Sequence, residues 1–221
     1  MKSRRSLSVL PAVLCALLFA GAALGDALAE KWQIKYNAAD QSAARAAILK
    51  KTDLGATGWT GGAAKPDFST STCTTYQPRV SDLIVTGAAA SQWTYAGALS
   101  FHSETWVLKT SAMVKLDWQR SVAHPSFLPC AKEEFGNETA AKLVSAKRIA
   151  LPALAPLARR YRFVIDFTRQ GETVRLLSDV ILIGKGRTEI SLLTTAPYAD
   201  RTPVEAAEVR LARALVARAK A

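Results

Sequence analysis

The segment from Arg160 to Thr195 constrains the fold more than any other. Tyr161, Phe163, Ile165 and Phe167 alternate with Arg160, Arg162, Val164 and Asp166, and a period of two marks a strand with one buried, aromatic-rich face. Gly171 turns this run into ETVRLLSDVILIG, whose centre is apolar on both faces, the pattern of a strand in mid-sheet. GKGR is a tight turn into a third run, TEISLLTT. A chain that devotes this much sequence to consecutive strands has to build its core on a sheet.

The flanking segments supply helices and further strands. SDLIVTGAAASQWTYAGALSFHSETWVLKT (81–110) reads as a strand, a turn region and a second strand, with an alanine-rich centre. KLVSAKRIALPAL (142–154) reads as another strand. Asp40 is placed to cap a helix over 41–51, with Ala43, Ala47 and Ile48 on one face and Gly55 near its end. Gly58 to Asp67 reads as a loop. In SAMVKLDWQRSVAH, Val114, Trp118 and Val122 stand four apart on one helical face, and Pro125 to Pro129 ends that helix before Cys130. Thr202-Pro203-Val204-Glu205 is a capping box that opens a terminal helix, with Val204, Ala207, Leu211 and Leu215 inward. SDLIVTG (81–87) and SDVILIG (178–184) echo one another, each followed by a strand and then a helix.

The N-terminus addresses the compartment. Lys2, Arg4 and Arg5 precede an apolar core from Val9 to Leu24, and Ala27-Leu28-Ala29 is an A-x-A cleavage pattern, so residues 1–29 read as a signal peptide and 30–221 as one secreted or extracytoplasmic domain. Cleavage after Gly25 is the alternative. Ser8 sits where twin-arginine export wants a large apolar residue, which favours Sec. Leu14 before Cys15 does not fit a lipobox. Removing 1–29 lowers the net charge from +11 to +9. About 190 residues suffice for one core. In an exported protein the basic excess points to anionic envelope components or a protein partner rather than nucleic acid.

Cleavage removes Cys15 and leaves Cys73 and Cys130, each among turn-forming residues, STSTCTT and PSFLPCAKEEFG. In an oxidising compartment two cysteines are most simply one disulfide. A catalytic thiol would need a base, and neither His102 nor His124 stands in a recognisable cysteine-protease setting.

No specific catalytic constellation emerges. Two isolated histidines without CxxC or HExxH give no metal cluster, and no cofactor is expected. GKG lacks the Walker spacing, and no GxSxG elbow is present. Ser100 and Ser103 flank His102, but adjacency on a strand does not make a triad; Glu133-Glu134 read as a solvated loop, and Asn137-Glu138-Thr139 fits a glycosylation sequon. Trp59, Trp93, Tyr95 and Trp106 lie at turns and strand ends, where a concave sheet face could present them as a binding surface.

The order helix, cysteine loop, strands, helix, second cysteine, strands, terminal helix, with the pieces TGAAAS, LDWQRSV, PSFLPC and SDVILIGKGRTEISL, resembles exported proteins of high-GC Gram-positive bacteria. Their layout is similar to the PsbP/Mog1-like fold shared by LpqN-type lipoproteins and the extracellular sensor domains of PknH-type kinases. The resemblance implies an α+β fold, an antiparallel sheet flanked by helices, over most of 38–221, and members that mostly bind rather than catalyse. It supports the Cys73–Cys130 pairing and carries over no functional residue. The expected function is therefore a secreted, non-catalytic binding domain for an envelope component or small ligand. The alternatives are an exported hydrolase acting on cell-wall or lipid material and an accessory protein that docks a protein partner. A deep pocket with a histidine beside a carboxylate favours the hydrolase, an apolar cleft without titratable groups favours the ligand binder, and an exposed apolar patch favours the partner.

Overall fold

The computed structural model describes residues 30–55, 57–69, 73–74, 76–136, 141–169 and 171–219. The signal-peptide segment, the sequon at Asn137 and part of STSTCTT lie outside the described residues. The fold is α+β, built on an eight-stranded sheet: β1 (Gln33–Ile34), β2 (Trp59–Ala64), β3 (Ile84–Tyr95), β4 (Leu99–Leu108), β5 (Ala141–Ile149), β6 (Leu157–Arg169), β7 (Glu172–Lys185) and β8 (Thr188–Pro197). The order is β1-β3-β4-β8-β7-β6-β5, with β2 also on β3. Every pairing is antiparallel except the short β1–β3 contact. The expected meander is β6-β7-β8, and β7 does sit inside the sheet.

Helices α1 (Ala38–Ala46), α2 (Lys51–Leu54) and α5 (Arg201–Arg218) cover one face. They close the main core, in which Leu49, Leu54, Leu211 and Leu215 meet Phe101, Ile181, Ile183, Ile190 and Leu192. Helices α3 (Ser111–Arg120) and α4 (Phe127–Gly136) lie over the other face, where Trp118, Val122 and Phe127 pack on Tyr161, Phe163 and Ile165. Each helix of the two β-β-α echoes leaves its hairpin for a different face: α3 after β3-β4, α5 after β7-β8.

Four local readings change. The helix expected over 41–51 starts earlier, capped by the Asn37 side chain, and breaks at Ala47. Sheet hydroxyls cause the break: Thr105 Oγ1 donates to the Ala47 carbonyl (3.1 Å), Ser91 Oγ to that of Leu49 (2.9 Å), and the Leu49 N–H donates to Ser103 Oγ (2.8 Å). These bonds satisfy backbone groups that a continuous helix would have satisfied itself. Asp40 instead pairs with Arg187 (2.5 Å). The supposed loop from Gly58 contains β2, whose small residues pair along β3 from Ala90 to Tyr95.

Cys130 lies inside α4 rather than in a turn, with Pro129 in the first turn, where its missing N–H costs nothing. The terminal helix begins at Arg201, behind a 3-10 turn, and not at the Thr202 capping box; the Glu205 carboxylate goes to Arg162 instead. The alanine-rich centre of β3 also finds its reason. A Cβ at Gly87 would stand 2.3 Å from the Asp40 backbone, so small residues let α1 seat directly on the strand.

Candidate functional site

The two faces of the central strands are buried unequally. On β4, Phe101, Ser103, Thr105 and Val107 point into the closed core, while His102, Glu104 and Trp106 are half-buried on the opposite face. Cross-strand register places Glu189, Ser191 and Leu193 of β8 beside them, then Val180 and Leu182 of β7. These residues floor a cavity of about 470 Å³. Trp118 of α3 and Val122 just beyond its end, with Phe127 and Ala131 of α4, roof it, and Asp67, Ser69, Tyr76, Pro78 and Val80 wall one side.

The roof is tied by the Cys73–Cys130 disulfide, which joins that loop to α4. Tyr76 reinforces it: its hydroxyl donates to the Arg120 carbonyl (2.8 Å), and its ring stacks on His124 at 3.7 Å. The Thr74 N–H donates to Glu133 (3.0 Å). Gly184 lets α3 approach β7, since a Cβ there would stand 3.0 Å from Leu157 and 3.1 Å from Val114.

Among the described lining residues there are several carboxyls and neither lysine nor arginine. Trp106 Nε1 and the Asp67 N–H each donate to Glu104 Oε1, both at 2.8 Å. Burial outweighs these bonds and pushes the Glu104 carboxyl up to about 7. Asp117 of α3 and Glu189 of β8 form a hydrogen-bonded carboxyl pair, both raised, first by burial. The pair shares a proton because two adjacent anions cannot both shed their water. Burial acts on His102 in the opposite sense and favours its neutral form. Burial thus lowers, without abolishing, the negative charge that these carboxyls carry near neutral pH.

The aromatic residues named from sequence divide between the faces. Trp59 and Trp93 are buried in the main core, Trp59 against Phe101 (5.5 Å) and Tyr95 (5.2 Å), and Tyr95 is exposed at the rim. Trp106 alone of the four lines the cavity, with Trp32 edge-on at 4.7 Å and Phe68 stacked at 5.0 Å. His124 serves the roof, and Glu134 stands exposed at the cavity's edge.

Sequence reasoning missed Glu104, Asp117, Glu189 and Trp32. One signal was present: His102, Glu104 and Trp106 fall on one face of one strand, so a charge between two ring-bearing residues was legible there. Compared with known protein families and curated proteins, the chain matches no family model and no curated sequence. Among the described residues no three potential ligands converge on a metal position, and no helix is long and apolar enough to cross a membrane.

Proposed function

We propose that the chain is an exported, non-catalytic binding domain whose cavity takes an apolar or amphipathic small molecule. The observation that carries this is the chamber between the sheet and the disulfide-tied roof. Its volume falls within the range of small-molecule sites, and its walls are mainly aromatic and aliphatic with a few converging polar groups. The Cys73–Cys130 bond supports export, which the N-terminal pattern also implies. The sheet with helices on both faces is compatible with a PsbP/Mog1-like domain. With no lysine or arginine in the described lining, the basic excess belongs to the outer surface, where anionic envelope components would meet it.

The test is native mass spectrometry of the mature protein taken from its own host's envelope or culture fluid. The expected result is an additional mass that departs on denaturation. Bare protein that also takes up no hydrophobic probe would overturn the reading.

The exported hydrolase keeps one specific support, the Asp117–Glu189 pair, because two carboxyls sharing a proton can act as acid and base. His102 and Glu104 in the same chamber also meet the criterion set for that reading. Against it, no described serine or threonine of the chamber hydrogen-bonds to His102, and the Asp117 and Glu189 carboxyls, though both line the cavity, are already committed to each other. Turnover of cell-wall or lipid substrates that Asp117→Asn abolishes would establish the hydrolase instead.

A further inference from the structure

We propose that the cavity selects an amphiphile with a positively charged head, an alkylammonium group, held against the aromatic wall of Trp32 and Trp106 beside the Glu104 carboxyl. This rests on the binding reading above and names the ligand's chemistry.

The chamber is graded from end to end. Its β4 and β8 side carries Glu104, Glu189 and Trp106, with Asp117 above them from α3; its β7 and β6 side carries Val180, Leu182 and Phe163, under Val122 and Phe127. Trp106 and Glu189 are direct cross-strand partners, so ring and carboxyl face the same space. Trp32 meets Trp106 edge-on at 4.7 Å and Phe68 stacks on Trp106 at 5.0 Å, so the three rings form one aromatic wall with Trp32 and Trp106 at an angle to each other. Indole faces attract cations, and aromatic walls beside a carboxyl are the usual means of holding an alkylated ammonium out of water. Both hydrogen bonds to Glu104 fall on Oε1, and Oε2 takes neither.

A carboxylate head would meet carboxyls with no lysine or arginine among the described lining residues to offset the repulsion. A neutral alcohol could use the apolar end but would leave the aromatic angle without a cation. Arrival of the cation favours the ionised carboxyls, so binding releases protons and strengthens as pH rises from about 6 to about 8. The titratable groups facing this space are His102 and Glu104 on β4, Glu189 on β8, Asp117 on α3, Asp67, Tyr76 and, on α4, Glu134, with Tyr36 close enough to Glu104 to feel its charge. Arg120 acts on Asp117 only from outside, where it is paired with Asp82 at 2.6 Å.

Isothermal titration of the mature, disulfide-bonded protein with decyltrimethylammonium and decanoate below their micelle concentrations, and with 1-decanol below its solubility limit, separates the possibilities. The ammonium compound is expected to bind about ten-fold or more tighter than decanoate, with proton release into the buffer. Glu104→Gln should lower its affinity by about ten-fold while leaving 1-decanol unchanged. Decanol or decanoate binding as tightly as the ammonium would overturn the charge selection and leave the apolar chamber standing. Binding of none of the three would overturn both. The head-group series uses the unmodified protein, so a poorly folding variant does not blunt it.

Discussion

On the face covered by α5, Arg160 and Arg162 of β6 enclose Asp179 of β7, with bonds of 2.5 to 3.1 Å, and reach Glu208 and Glu205 on the helix. Asp179 and Glu208 are 0% exposed. On the face roofed by α3 and α4, Glu104, Asp117 and Glu189 are enclosed without an arginine or lysine among the described lining. The same sheet therefore handles buried charge in two ways. Where the arginines enclose Asp179 the helix closes down over a filled core, although burial and the nearby Asp179 push the Glu208 carboxyl there up to about 8. Where acids stand without a base, burial raises their carboxyls, the helices stay lifted and space remains. Buried polar groups in the first region are spent on one another, whereas those in the second line a space that a ligand can enter.

Single substitutions should break this contrast most clearly. Asp179→Ala removes the carboxylate shared by two buried guanidiniums and leaves each with its helix glutamate alone, and is expected to cost about 3–5 kcal/mol in urea unfolding. Glu189→Gln removes a carboxyl that folding has to dehydrate, and should leave stability unchanged or raised at pH 8. Equal losses in the two variants would erase the distinction between the faces. The disulfide comes next: the Cys73→Ser/Cys130→Ser pair is expected to lose about 4 kcal/mol in the chain-entropy model, less any relief of strain. That loss should come with a looser roof, read as faster exchange of α4 amides than of α5 amides.

The pH dependence sharpens the contrast further. Glu104 holds its proton up to about 7 when folded, against an ordinary 4.5, so folding takes up a proton within that window. Stability from this group is complete below the lower value and is lost as pH rises through the upper one, a fall on the order of 2–3 kcal/mol. Glu104→Gln should flatten that fall. At the acid end Asp53 and Asp82 are held below their usual range, Asp53 by Arg218 and Lys50 against its burial and Asp82 by Arg120 above all, so their contribution disappears as pH drops below about 4. Chemical unfolding across pH should therefore show an optimum on the acid side of neutrality. The smallest effect is that of Gly184→Ala, where the added methyl presses on Leu157 and Val114 beneath α3 and should cost about 1 kcal/mol.

Strands were legible because period-two alternation is written into each segment by itself, and Val114 and Trp118 of α3 were legible for the equivalent helical reason, although Val122 falls in the turn after the helix. What escaped depends on two segments meeting. Arg160 and Arg162 alternate with aromatic residues and read as a solvated face, yet β7 brings Asp179 beside Arg162 and α5 then buries the group. Glu208 occupies the same inward stripe as Val204, Leu211 and Leu215, where only its arginine partner explains a charge. The break after α1 is set by hydroxyls on β3 and β4, far away in sequence. Likewise the chamber's acids come from β4, α3 and β8, and no local pattern can predict a register that joins them.

The five tryptophans provide the most direct test. Trp32, Trp106 and Trp118 line the chamber, whereas Trp59 and Trp93 belong to the closed core. Fluorine NMR of the protein labelled with fluorotryptophan, titrated with decyltrimethylammonium, reports on both faces at once. The account predicts movement of the Trp32, Trp106 and Trp118 resonances while those of Trp59 and Trp93 hold still. Movement led by Trp59 and Trp93, or none at all, would contradict it.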